Sequence, residues 1–177
     1  SEASKAFYDS VFHFAKPTIA TIQGYCIGGG MGLAVACDIR LCEDKSRFAI
    51  PAAKLGLGYG YEGIRRLANL VGPAMVKEIF FTARQLSAGE AQEMGLVNRV
   101  LPPHMLAPYV GDYAKRISEN APMTMESVKA IVQAIQDDES ARDLDALDAM
   151  VKACFASQDY IEGRRAFMEK RLSLIHI

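Results

Sequence analysis

Neither sign of charge is in excess. Twenty Lys and Arg stand against 21 Asp and Glu, a formal net charge of −1 over 177 residues. A nucleic-acid surface needs a basic excess gathered on one face, so no such partner is expected. A polyanionic small ligand needs only a local group of cations and remains open. No run of about 18 apolar residues occurs, and no membrane-spanning helix is expected. The four cysteines, Cys26, Cys37, Cys42 and Cys154, form no C-x-x-C and have no zinc-type His spacing, so no metal is expected. They read as small buried hydrophobes in a reducing, cytoplasmic compartment. No G-x-S-x-G is present, which excludes the nucleophile-elbow hydrolases. No Gly-Lys-Ser/Thr follows a glycine turn, which excludes a P-loop. His13, His104 and His176 stand alone and read as surface or capping residues.

Half of the residues are hydrophobic and 23% are charged, ordinary for a globular chain. The length suits one domain with a real core, or one domain and an appendage. Phe7, Val11 and Phe14 fall at helical spacing and predict a helix from about Ala3 to Phe14, which Lys16-Pro17 ends. The β-branched run Thr18–Ile22 predicts a buried strand. Strands are also predicted at Ile39–Cys42, Arg47–Ile50 and Val97–Leu101. Helices are predicted at Leu33–Cys37, Glu62–Val71 and Pro73–Phe81. Ser87 and Glu90 form a capping box that opens a further helix, closed by Gly95. Past Pro102-Pro103 the pattern turns helical, over Met105–Glu119, Thr124–Gln136, Ser140–Phe155 and Tyr160–Arg171.

Between the first two strands lies Gly24-Tyr25-Cys26-Ile27-Gly28-Gly29-Gly30-Met31-Gly32, a glycine-dense turn leading into a helix. Glycine lets backbone approach a ligand closely, and a helix start presents unpaired N–H groups carrying partial positive charge. Together they suit negative oxygen, whether of a phosphate or of a developing oxyanion. Close helix–strand packing without chemistry explains the same glycines. A second stretch, Gly58-x-Gly60-x-x-Gly63, matches the dinucleotide fingerprint in letters. Glu78, twenty residues on, sits in a helical pattern rather than at a strand end, so a dinucleotide is not expected.

Several segments, in order, resemble the crotonase (enoyl-CoA hydratase/isomerase) superfamily. They are Lys16-Pro17 through Gly30, Ala36-Cys37-Asp38-Ile39-Arg40, Lys54-Leu55-Gly56-Leu57, and Thr82-Ala83-Arg84-Gln85-Leu86-Ser87-Ala88-x-Glu90-Ala91. Gly95-Leu96-Val97-Asn98-Arg99-Val100 and Glu162-Gly163-Arg164-Arg165-Ala166-Phe167-Met168-Glu169-Lys170-Arg171 complete the set. The resemblance implies an α/β fold. A spiral of ββα turns would occupy residues 1–103 and a helical trimerisation region residues 104–171. It implies an acyl-CoA thioester as substrate, coenzyme A as part of that substrate, no separate cofactor, and a homotrimer or dimer of trimers. It also implies that two backbone N–H groups hold the thioester oxygen as it becomes an enolate, the second of them mapping to Gly29. The first belongs to a segment N-terminal to Ser1. The chain therefore reads as part of a longer protein and is expected to be inactive alone.

Family hydratases use two glutamates, which map to Gly32 and Ala52 here; neither can move a proton. Glu62 is the one acid in either glycine-rich stretch and is the candidate base, although it does not align with the position family isomerases use. The alternative is a helix-start carboxylate favoured by the helix dipole. Expected substrate contacts are Cys26, Gly28, Tyr59, Phe167 and Lys170, the last two on a helix that lies near coenzyme A in the family. Tyr61 is a further lining candidate, and Asp38 reads as a structural turn carboxylate. The arginines of the last helix fit equally a solvated face paired with Glu162 and Glu169. Leu144, Leu147, Val151 and Phe155 form an apolar stripe read as packing or trimer interface. Leu172–Ile177 departs from the family and is expected to be a non-native tail. A non-catalytic acyl-CoA-binding or assembly subunit, or a thioester hydrolase of the same fold, is the alternative to a hydratase or isomerase.

Overall fold

The computed structural model describes residues 2–175, so His176 and Ile177, the end of the expected tail, lie outside the described residues. The chain divides into two compact units. One holds residues 1–14 and 18–111, the other residues 15–17 and 112–177.

The first unit opens with helix α1 (Glu2–Phe12), followed by strands β1 (Ile19–Ile22) and β2 (Tyr25–Ile27) and helix α2 (Gly29–Ala36). Strands β3 (Ile39–Glu43) and β4 (Arg47–Ala49) repeat the pattern and lead to the short helix α3 (Ala52–Leu55). Helix α4 (Tyr61–Thr82), β5 (Leu86–Ser87), α5 (Ala88–Glu93) and β6 (Arg99–Leu101) follow. Strands β1 to β4 alternate between two three-stranded sheets, β1-β3-β6 and β2-β4-β5; β5 then pairs with β4 in the second sheet and β6 returns to the first. All pairs are parallel except β4 with β5. The short Gly24 turn between β1 and β2 lets each ββα turn contribute one strand to each sheet. Between them the turns enclose a core of Met31, Cys42, Phe48, Leu67, Ile79, Leu86 and Leu96.

Two polar clips fasten the turns. Asp38 Oδ2 accepts from the Thr18 N–H (2.7 Å) and hydroxyl (3.0 Å), tying the start of β3 to the approach to β1. This is the structural role expected for that carboxylate. The buried Arg40 donates to the carbonyls of Leu96 (2.7 Å), Cys37 (2.6 Å) and Ala34 (3.2 Å). Asn98 closes the clip by accepting from the Arg40 N–H at 2.9 Å and donating its own N–H to the Arg40 carbonyl at 2.8 Å. A buried guanidinium is tolerated when its donors are satisfied in this way. The Ser87–Glu90 capping box is formed in full at the start of α5.

Three details differ from the sequence reading. Tyr25–Ile27 is a strand rather than turn, because Arg47, Phe48 and Ala49 pair with it in parallel register. Helix α2 begins at Gly29 rather than Leu33. The break expected at Gly72-Pro73 is present: two helices abut end to end as α4, joined at Gly72 with φ 80° and ψ 160°, angles only glycine takes readily. The inward side of α1 is also not the predicted stripe. Of that stripe Phe7 and Phe14 are exposed and only Val11 is half-buried, together with Tyr8, Asp9 and Phe12. The reason is shape and charge. Gly29 and Gly32, one helical turn apart on α2, leave room for the Tyr8 ring. Arg66 of α4 pairs with Asp9 at 2.6 Å and sits 4.1 Å over the Phe12 ring.

Helix α6 (Pro103–Ser118) carries the chain across the division between the units. In the second unit, α7 (Pro122–Gln136), α8 (Leu144–Phe155) and α9 (Gln158–Glu169) are antiparallel-type neighbours by short connections, α8 packing against both others. Asp143 caps α8 through the Ala146 N–H, and Ser157 caps α9 through the Tyr160 N–H. Residues 172–175 fold back on α9, where the Leu174 N–H donates to Glu162 at 2.9 Å. Among the described residues no helix is long and apolar enough to cross a membrane.

Candidate active site

The glycine turn joins β2 to α2. Gly28 sits at φ 58° and ψ −113°, outside the range of a residue with a side chain, and its N–H is taken by the Ala49 carbonyl at 2.9 Å. The turn is thus pinned to β4 on one side. Helical bonding begins with Gly32 N–H donating to the Gly28 carbonyl at 3.0 Å. The N–H groups of Gly29, Gly30 and Met31 precede it in the helix and, among the described residues, have no recorded acceptor. These are the orphan donors of a helix start, and they carry its positive dipole end.

Beside this turn lies a cavity of about 600 Å³ bordered by α1, α2, α4 and the loop before α4. Tyr8, Met31, Gly32, Tyr59, Glu62 and Arg66 are among its walls. Two of the expected site residues, Tyr59 and Glu62, therefore share one cavity, and Tyr61 borders it as well. Gly29 is not itself a wall, but Tyr8, which is, donates its hydroxyl to the Gly29 carbonyl at 3.2 Å. Gly28 supplies the bend. The Cys26 side chain is in the core, its thiol pushed up to about 11 by burial.

The carboxylates of the cavity are paired. Glu62 meets Arg65 at 2.7 Å, one turn along α4, and Asp9 meets Arg66. Neither Gly32 nor Ala52 brings a further acid, and Ala52 is buried in the core. Tyr59 stands edge-on to Phe80, with ring centres 5.0 Å apart. Burial, and then the neighbouring Tyr8, push the Tyr59 phenol above its ordinary value. It is held as a neutral hydroxyl. Arg66 is buried, with its side chain 9% exposed, and its Nε is without a partner among the described residues.

Phe167 and Lys170 belong to the second unit. Phe167 is 83% exposed and borders a recess of about 340 Å³ with Tyr160 and Arg164. Lys170 ends α9 in the left-handed region at φ 53°. Arg171 holds Glu162 and Glu169, both at 2.6 Å, and Arg164 lies 5.6 Å over the Tyr160 ring.

Sequence reasoning missed Tyr8 and Arg66. The available signal for Tyr8 was the pair of glycines at i and i+3 on α2, which calls for a large partner from another element.

Two alternating sheets built from ββα turns, with a glycine turn opening a helix beside a cavity, define the crotonase fold. The enoyl-CoA hydratase/isomerase family model matches residues 1–173, and the chain belongs to that family. A crotonyl-CoA hydratase from Syntrophomonas wolfei subsp. wolfei is 40% identical over 158 residues, 88% of this chain and 60% of the relative. A carnitinyl-CoA dehydratase from Salmonella arizonae is 36% identical over 165 residues, 91% of this chain and 63% of the relative. The chain thus spans under two thirds of the length of these curated relatives. Among solved structures, an enoyl-CoA hydratase from Bacillus anthracis superposes with a TM-score of 0.86 at 32% identity, covering 98% of this chain and 67% of that one. An enoyl-CoA hydratase/isomerase family protein from Hyphomonas neptunium gives a TM-score of 0.86 at 32% identity, covering 98% and 68%.

Proposed function

We propose that this protein binds an enoyl-CoA thioester and catalyses its reversible hydration, with the Gly29 N–H receiving the charge that develops on the thioester oxygen. The observation that carries this reading is the turn itself, a helix-start amide with no protein acceptor among the described residues, on a helix whose Met31 and Gly32 wall a cavity of about 600 Å³. A donor already fixed in place costs no reorganisation when the oxyanion forms, and one such donor is worth about 3–4 kcal/mol of barrier. The relatives' names, crotonyl-CoA hydratase and carnitinyl-CoA dehydratase, support the reaction class. Coenzyme A enters as part of the substrate, and no other cofactor is invoked.

Glu62 is the proposed base. It reaches the cavity, and Arg65 holds its carboxylate oriented. Tyr59 lines the acyl site, and Cys26 and Gly28 shape the turn against which the thioester rests. A homotrimer or dimer of trimers through the helical unit is proposed from the exposed Val128, Val132 and Ile135 on α7 and Leu144 and Phe155 on α8.

The test is turnover of crotonyl-CoA and of a 3-enoyl-CoA by the full-length gene product. Hydration of the first supports the proposal, and conversion of the second alone replaces hydration with double-bond isomerisation. A specific observation favours a second reading, a subunit that binds acyl-CoA without chemistry: Gly32 and Ala52 carry no acid, and both cavity carboxylates are ion-paired. Tight acyl-CoA binding with no turnover of any thioester would establish it.

A further inference from the structure

A site with one carboxylate has one proton carrier, whereas adding water across a double bond moves two protons. One leaves the water and one arrives at the α-carbon. Resting on the hydratase reading, we propose that Tyr8 is the second carrier and protonates the α-carbon.

Three observations place it there. A Cβ built at Gly32 would lie 3.3 Å from Tyr8 Cζ and 3.5 Å from its hydroxyl oxygen, so the phenol occupies the space into which an acid at position 32 would project. The hydroxyl also lies 3.2 Å from the Gly29 carbonyl oxygen and 3.2 Å from the Cβ position of Gly29. It is thereby held against the residue whose N–H faces the thioester oxygen in the reading above. Tyr8 is a wall of the same cavity as Glu62 and Tyr59. The glycines at 29 and 32 are explained by the same fact, since each makes room for this ring.

Water oxygen bonds the β-carbon as its proton passes to the Glu62 carboxylate, and the double-bond electron pair moves to the thioester oxygen. The Tyr8 O–H breaks as a C–H bond forms at the α-carbon, and the enolate pair supplies that bond. The phenolate then takes the proton held by Glu62, which resets both groups. Tyr59, whose phenol burial pushes above its ordinary value and whose ring packs on Phe80, stays protonated.

Tyr8→Phe keeps the ring and removes only the hydroxyl. In the full-length gene product with crotonyl-CoA, it is expected to lower kcat by at least about 100-fold with KM little changed. In D2O with 3-hydroxybutyryl-CoA, it is also expected to suppress exchange of the α-hydrogen. A merely structural role for Tyr8 moves neither the exchange nor the kcat-to-KM split. Wild-type turnover with an unaltered kcat in Tyr8→Phe overturns the proposal and leaves the hydratase reading standing. A wild type that binds crotonyl-CoA but hydrates nothing overturns both. A second variant guards against loss of fold. Tyr8→Ala with Gly32→Glu puts a carboxylate in the vacated space and is expected to recover turnover relative to Tyr8→Ala alone; no recovery in a folded double variant counts against the proposal.

Discussion

Tyr8 Cζ lies 3.3 Å from where a Cβ at Gly32 would begin, so these two residues on different helices share one side-chain volume. Gly32→Glu should therefore destabilise the protein by about 1–3 kcal/mol, the cost of overpacking. Tyr8→Ala should relieve most of that loss. A double-mutant cycle read by urea denaturation is expected to show a coupling of about 0.5–3 kcal/mol. Additive single effects would mean that the two residues do not compete for space.

Arg66 is held by Asp9 at 2.6 Å and by the Phe12 ring. Removing Asp9 leaves a buried cation with no counter-charge. Asp9→Ala is expected to cost on the order of 3 kcal/mol. Adding Arg66→Met removes the stranded charge and keeps the packing on Phe12, so the double variant should be more stable than Asp9→Ala alone. Thermal unfolding of the three proteins checks the order.

Acid should weaken the α5 cap. The Ser87 N–H, the Arg84 guanidinium and the Ser87 hydroxyl hold the Glu90 carboxyl down at about 2, from a reference of 4.5. A depressed folded-state pKa gives stability that is present above the unfolded value and lost as pH falls. The loss should run from about pH 4.5 toward 2. The gap between the denaturation midpoints of wild type and Glu90→Gln at neutral pH should narrow steadily as pH falls from 4.5 toward 2. Ser87→Ala, which removes the cap itself, should cost about 1 kcal/mol at neutral pH.

Glu62→Gln keeps the shape of the side chain and removes its basicity. If Glu62 activates water, kcat for crotonyl-CoA should fall by about 100-fold or more, with binding of the thioester retained. Steady-state kinetics together with calorimetric titration of crotonyl-CoA separate the two. Retained kcat would reduce Glu62 to a helix-start carboxylate partnered by Arg65.

Most of the fold was legible because local rules and tertiary packing agree. The β-branched run that begins at Thr18, the Ser87–Glu90 box and the break at Gly72-Pro73 each state their role in a few residues. The strand Tyr25–Ile27 was not legible, since its partner Arg47–Ala49 is distant in sequence and its glycine flanks look like a turn. The inward side of α1 was hidden for a related reason. Phe7, Val11 and Phe14 make the better hydrophobic stripe, yet Arg66 and the two small residues of α2 select Tyr8, Asp9 and Phe12. In the site, the glycine turn was readable from composition, whereas Gly29 was singled out only by the family resemblance. Tyr8 was not readable, because its position depends on what α2 lacks.

The account depends most on the Gly29 amide accepting charge from the thioester oxygen. Gly29→Pro removes that N–H at the first position of a helix, where proline is tolerated, but its Cβ would lie 3.2 Å from the Tyr8 hydroxyl, so the carbonyl frequency and not kcat alone reads the amide. The direct measurement is the infrared stretch of a 13C-labelled thioester carbonyl in crotonyl-CoA bound to the full-length gene product. The stretch should move to lower frequency on binding to wild type and return toward the free value in Gly29→Pro, with kcat lower by about 100- to 1,000-fold. A bound carbonyl at the free frequency in wild type, or an equal shift in folded Gly29→Pro, would contradict the account.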